Sequence, residues 1–313
     1  MARGEFESGW RISDETIRSF PRERNAELPP WRRVVWDGRP LEGRRVLVRC
    51  YHGLGDTIQF SRYLPLLRRM AAEVTVALPA SLFDLFSDAA CAKSVGLVPA
   101  DEAGVREFDA EVEIMELAHV FRTIGSAIPD IPHLDIEPAA IRRDERIAVG
   151  IVWSAGIWDR RRSVDISELT PWARLPGISL YSLQLEPYAA GWHNDLGTAL
   201  DARGIYETAR LIKALDLIIT VDTMTAHLAG TLRKPVWTLL QSDADWRWML
   251  EREDSPWYPT MRLFRQKHQG GWGPVIASVT GELERLSRQY ETGGEPVPWD
   301  HAGAGFTSRA AYL

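Results

Sequence analysis

The chain has 313 residues, 45% apolar and 26% charged, which excludes wholesale disorder and leaves room for about two domains with cores of their own. With 37 basic against 43 acidic residues the net charge is −6, so overall charge draws no nucleic acid. The two cysteines, Cys50 and Cys91, lack metal-ligand spacing and exclude a disulfide framework and a cysteine-based zinc site.

No stretch reaches the ~18 apolar residues of a membrane span, and the first residues lack the apolar run of a secretory signal. A reducing cytoplasm is therefore the expected location. Residues 1–44 read as a polar lead-in arm with at most one short helix. Arg45–Cys50 (RVLVRC) is the first β-branched run, followed by a glycine turn and apolar residues at helical spacing, Ile58, Tyr63, Leu64 and Leu67. Strands are expected at Glu73–Leu78, Ser94–Val98 and Ala110–Met115, with helix at Ser81–Ser87. His133–Arg146, with a proline and a charge run, reads as a linker.

The alternation then restarts. Ile147–Trp153 is nearly all apolar, as in a strand covered on both faces. Strands are expected at Ser179–Leu183, Leu217–Val221 and Pro235–Leu240, and helices at Glu207–Leu215, Thr225–Leu232 and Pro274–Tyr290. Alternating strands and helices predict an α/β chain of two doubly wound parallel-sheet domains, 45–140 and 146–273. A C-terminal helix (274–291) and a flexible tail (292–313) complete the expected organisation.

Four motifs follow predicted strands, where open α/β sheets bind ligands. His52-Gly53-Leu54-Gly55-Asp56-Thr57 is a strand-to-helix turn in which Asp56 is either a helix-capping carboxylate or a general base at the sheet edge. Its spacing matches neither the dinucleotide fingerprint nor the phosphate loop of nucleotide triphosphatases. Val221–Gly230 offers Thr223, Thr225 and a helix start suited to a diphosphate, or simply a capped crossover helix in which His227 is a hydrogen-bonded helix residue. Asp159–Ser163 is either a solvated loop or a guanidinium source for a leaving group. Asp245-Trp246-Arg247-Trp248 with Ser255-Pro256-Trp257-Tyr258 reads as aromatics bounding a nucleotide or sugar face, or as core. No pattern compels a metal, and Asp243-Ala244-Asp245 is discounted as a metal site.

HGLGDTIQFSRYLPLL, VGIVWSAG, SLQ, LIKALDLIITVDTMTAHLAGTLRKPVW and DWRWMLEREDSPWYPTMRLFRQ together resemble glycosyltransferase family 9, which includes the heptosyltransferases. The resemblance covers about residues 30–285 and is closest to the C-terminal domains of bacterial tetratricopeptide-repeat proteins. It implies a GT-B fold: two Rossmann-like domains facing a cleft, with the acceptor on the first and the nucleotide-sugar on the second. It also implies inverting transfer with neither metal nor cofactor.

By that resemblance Asp56 is the catalytic base. Asp222, Thr223 and His227 lie at the donor site, Arg162 at the phosphates, and Gln184 and Glu186 at the nucleotide; Thr225 and Arg160 join the donor diphosphate site by the motif reading above. His52, Gly53 and Gly55 fall on the acceptor side. His119 either lines the acceptor pocket or is a packed structural histidine. Arginines stand where heptosyltransferases carry a phosphate-loop lysine, so the donor sugar stays open. The expected partners are a nucleotide-sugar donor, a glycan, lipid-linked or protein acceptor, no nucleic acid, and a peripheral membrane contact. A nucleotide-sugar epimerase of the same fold, an inactive sugar-nucleotide-binding module and an interaction scaffold are the alternative readings.

Overall fold

The computed structural model describes residues 1–19, 27–87, 89–103, 107–132, 134–156 and 159–292; the start of the expected linker at His133 and the expected tail beyond Thr292 lie outside them. The segment read as a lead-in opens with a 14-residue helix, α1 (Phe6–Ser19). Phe6 and Trp10 are buried on one face, and Ile17 packs beside them. Three apolar side chains at helical spacing in a polar segment suffice to dock it.

The first half continues with β1 (Arg45–Arg49) and α2 (Leu54–Phe60). The single helix expected after β1 is divided: α2 passes into a 3-10 turn at Ser61–Tyr63, and α3 (Leu64–Met70) restarts behind it. Pro65 explains the division, because proline has no N–H and its ring clashes with the carbonyl four residues back, so it fits only the first turn of a helix. β2 (Glu73–Leu78), α4 (Phe83–Phe86), β3 (Gly96–Pro99), β4 (Ala110–Glu113) and α5 (Leu117–Val120) follow. The four strands form one parallel sheet in the order β3-β2-β1-β4.

The second half holds β5 (Ile147–Val152), β6 (Ile178–Ser182), β7 (Thr198–Ala199), α6 (Ile205–Ala214), β8 (Leu217–Val221), α7 (Met224–Thr231), β9 (Val236–Leu240), β10 (Met261–Arg265) and α8 (Trp272–Glu291). These strands form a second parallel sheet, β10-β9-β8-β5-β6-β7, the doubly wound order of dinucleotide-binding folds. Every residue of β5 and β8 is buried, which is why both read as apolar runs. Neither β7 nor β10 is expected from the sequence. Residues 134–146 form no strand or helix, and pin to the second half through Ala139 N–H to Arg210 O (3.0 Å) and Arg143 to Asp216 (2.6 Å).

The winding reverses once in each sheet, between β1 and β4 and between β5 and β8. Ligands of open α/β sheets bind beyond the strand carboxyl ends at such points. α2, which follows β1, packs directly on α7, which follows β8. A Cβ on Gly55 would lie 2.6 Å from His227 Cδ2 and 3.2 Å from the Met224 Cα. Only glycine permits this approach.

Gly55→Ala is expected to destabilise the protein by about 1–3 kcal/mol, the usual cost of overpacking. Urea unfolding measures it. An unchanged midpoint would show that the two helices are not held at this distance.

Candidate active site

On the first sheet, β1 ends at the turn bearing His52, Gly53 and Asp56. The Gly53 N–H donates to Asp56 Oδ2 (2.8 Å), so Asp56 does cap α2. Its other oxygen, Oδ1, accepts from Arg247 Nη1 at 2.5 Å. The Asp56 side chain is 19% exposed, and a carboxylate has about four lone-pair sites, so acceptor capacity remains. Across the winding reversal, Glu113 ends β4 and is 1% exposed. Its carboxylate lies 3.1 Å from His52 Nδ1 and also accepts from the Tyr51 and Met115 N–H groups. Burial alone would push His52 down, but Glu113, with Asp56 and Glu116, outweighs it and holds His52 above its ordinary value.

On the second sheet, Asp222-Thr223 follows β8. The Thr223 hydroxyl accepts from the Thr225 N–H (3.3 Å) and lies 3.2 Å from the Thr220 hydroxyl, so it caps α7. Burial raises the Asp222 carboxyl against the opposing pull of Arg247 and Arg162. Arg162 crosses the reversal, donating from Nη1 to the Asp222 carbonyl (2.9 Å), while its buried Nε has no hydrogen-bond partner. Arg265, the last residue of β10, donates to the Trp248 carbonyl, and its buried Nε and Nη1 are likewise unpartnered. Burial lowers Arg265, with Asp222 opposing that shift.

Arg247 joins the two halves. Its guanidinium donates to Asp245 (2.8 Å), to Asp56 (2.5 Å) and to Gln59 Oε1 (2.8 Å). It also lies over the Phe60 ring at 5.6 Å. Burial works against its charge, but the two carboxylates hold it well above the usual range. Arg62, also buried, makes a second tie from the first half, donating to the Trp257 carbonyl (3.0 Å).

The expected residues thus divide. Asp56, His52, Gly53 and Gly55 cluster at the first reversal, and Arg162, Asp222, Thr223 and Thr225 at the second. His227 is buried within the contact between halves: its Nδ1 lies 3.0 Å from the Tyr258 hydroxyl and its ring stacks on Trp248. His119 is buried between Trp10 and Trp36 and pairs with Asp14 of α1 at 2.9 Å, the packed arrangement of its two readings. Gln184 Oε1 accepts from the Ser154 N–H (3.0 Å), linking the loops after β5 and β6. Arg160 and Glu186 are exposed.

One reading is corrected. Trp248, Trp257 and Tyr258 do not bound an open face; all three are buried, because they form the packing around Arg247 and His227. Trp246 meets Phe6 and Trp10 of α1 edge-on, at 6.3 Å in each case. The importance of Arg247 is missed by sequence reasoning, since its partner Asp56 is 191 positions away.

No family model matches the chain. FlbA of Caulobacter vibrioides is 24% identical over 320 aligned residues, 90% of this chain and 53% of FlbA, so the chain spans about half the length of this curated relative. Among solved structures, the glycosyl transferase family 9 protein of Veillonella parvula is 12% identical with TM-score 0.55, over 81% of this chain and 97% of that one. The ADP-heptose lipopolysaccharide heptosyltransferase II of Escherichia coli is 13% identical with TM-score 0.54, over 79% and 99%. TibC of enterotoxigenic Escherichia coli, an iron-containing dodecameric heptosyltransferase in complex with ADP-D-β-D-heptose, is 12% identical with TM-score 0.53, over 80% and 78%. These likenesses show the fold: mixed α/β, two parallel sheets, neighbours among GT-B-type heptosyltransferases.

Arg247→Leu is expected to destabilise the chain by about 3–5 kcal/mol, as when one member of a buried ion pair is removed. A loss under about 1 kcal/mol by denaturant unfolding would contradict the tie. Burial also holds His227 well below its ordinary value. The unfolded chain then binds a proton that the folded chain does not, so stability falls as pH drops below about 6.5. His119, also lowered chiefly by burial, contributes with the same sign. Unfolding free energies between pH 5 and 6.5 should show a shallower slope in His227→Gln; an identical slope would contradict a neutral buried imidazole.

Proposed function

We propose that the chain is a nucleotide-sugar-dependent glycosyltransferase whose active site lies between the two winding reversals. The observation that carries this reading is the opposition of two chemistries. A part-exposed carboxylate, Asp56, stands at the first reversal, while guanidinium groups with unspent buried donors stand on the second sheet, Arg162 at its reversal beside Asp222 and Arg265 at the carboxyl end of its edge strand β10. A carboxylate suits removal of a hydroxyl proton, and cationic donors at a helix start suit a diphosphate. The sugar donors of the structural neighbours, ADP-D-β-D-heptose in TibC, fit the same division. The donor and the acceptor of this chain are themselves part of the proposal.

The reaction is a single displacement. The acceptor hydroxyl gives its proton to Asp56, its oxygen attacks the anomeric carbon, and the bond from that carbon to the diphosphate oxygen breaks. Attack opposite the leaving group inverts the anomeric configuration. Arg162, Arg265 and the positive end of α7 meet the charge on the departing nucleoside diphosphate, so we propose transfer without a bound metal. Losing one preorganised donor of this kind costs roughly 2.7–4 kcal/mol in a well-studied protease. Among the described residues, no three His, Cys, Asp or Glu side chains lie together to hold an ion. None of the described helices is long and apolar enough to cross a membrane.

Screening UDP-, ADP-, GDP- and CMP-linked sugars by thermal shift identifies the donor, and calorimetry gives its affinity. Asp56→Asn is expected to cut turnover about 10²–10⁴-fold, the range of general-base catalysis, with donor affinity within twofold. Arg162→Ala is expected to weaken donor binding about tenfold or more. Absence of any nucleotide-sugar binding by the unaltered chain would overturn the reading.

A further inference from the structure

The turn after β1 presents two titratable side chains that are partly open to solvent, and each is backed by a buried group of opposite charge. Asp56 is backed by Arg247, and His52, with a side chain 31% exposed, is backed by Glu113 at 1%. The second pair has a particular place in the fold. His52 follows β1 and Glu113 ends β4, so their contact spans the winding reversal of the first sheet, where such sheets bind ligands. Glu113 is fixed on every side: it takes N–H groups from Tyr51 and Met115, and its own N–H donates to Glu116 Oε2 at 2.8 Å. Glu116 in turn accepts from the Val35 and Trp36 N–H groups, so the whole acidic knot is immobilised from behind.

A buried carboxylate anion is costly unless hydrogen-bonded and met by a positive partner. His52 is the partner within reach. With Nδ1 turned to Glu113, the imidazole directs Nε2 the other way. Nδ1 is buried against the Glu113 carboxylate as a charge contact without an aligned hydrogen bond, so the fixed carboxylate favours the protonated ring and holds it by charge, which leaves the Nε2 side for a ligand.

We propose that His52 is an acceptor-binding residue and Glu113 its positioning residue: Nε2–H of His52 donates to the same acceptor oxygen whose proton goes to Asp56. This rests on the transferase reading and adds a second contact on the acceptor side. One turn then offers a donor and an acceptor of hydrogen bonds, each anchored from behind. That suits a substrate oxygen held from two directions rather than a carboxylate acting alone. The charged and titratable groups acting on His52 are Glu113, Asp56 and Glu116, all acidic, and they favour the donating, protonated form.

The test uses the full chain with the nucleotide-sugar panel above, water standing in for the acceptor, and follows donor hydrolysis against pH. His52→Ala is expected to lower the hydrolysis rate at least tenfold while donor affinity stays within twofold, and His52→Gln, which keeps an N–H donor, to recover part of the loss. Glu113→Gln removes the negative charge behind the ring, so the pH at which activity falls on the alkaline side should move down. NMR of the His52 ring gives a second readout without turnover: its titration midpoint should lie above 6.5 and drop in Glu113→Gln. Unchanged hydrolysis in His52→Ala, or a midpoint indifferent to Glu113→Gln, would overturn the assignment. Failure of the unaltered chain to bind any nucleotide-sugar would overturn the transferase reading instead, and calorimetry distinguishes that case from the other two.

Discussion

A single buried guanidinium organises this molecule. Arg247 belongs to the loop after β9, yet it donates to Asp56 and Gln59 on α2 and to Asp245 on its own loop. A charged group this buried is stable only with its donors paired, so the carboxylates on both sides must stay where they are. The two halves of the chain therefore cannot drift in the neighbourhood of Asp56 without exposing or orphaning this charge. Gly55 against Met224 and His227, and Arg62 on the Trp257 carbonyl, reinforce the same contact.

Helix α1 extends this arrangement to the chain's beginning. Trp10 donates to the Thr123 carbonyl of the first half (2.7 Å) and meets Trp246 of the second edge-on, while Asp14 pairs with Arg122 at 2.7 Å. Trp246 and Trp248 flank Arg247 in sequence, so one indole takes the helix and the other stacks on His227. Aromatic packing and ion pairing at the join are thus one structure: the aromatics exclude water around a guanidinium whose pairing strengthens in the drier surroundings.

Much of this fold was legible because parallel strands buried on both faces must be apolar throughout. Leu217–Val221 and Ile147–Val152 could be read for that reason, and the glycine turn announced α2. β10 was not legible because Met261–Arg265 neither alternates strictly nor runs apolar throughout and sits between proline- and charge-rich neighbours, and β7 is only two residues long. α1 was read as no more than one short helix somewhere within residues 1–44, because only Phe6, Trp10 and Ile17 mark its inner face. At the site, Asp56, Asp222 and Thr223 stood out because local turn chemistry marks them. Arg247 and Glu113 did not, since each acts through contacts made by distant parts of the chain, and no local pattern distinguishes a buried pairing residue from a solvated one. The aromatic DWRW and SPWY segments were visible as unusual but ambiguous between surface and core; burial decides for core.

The proposed reaction requires an anion held at the start of α7 to lie opposite Asp56 across the join that Arg247 fixes. Diffraction from crystals grown with the nucleoside diphosphate of the best-binding donor tests this directly. Its phosphates are expected within hydrogen-bonding distance of Arg162 and the Thr223–Thr225 backbone, with the terminal phosphate facing the Asp56 side. A nucleotide bound away from that helix start, or with its terminal phosphate turned from Asp56, would contradict it.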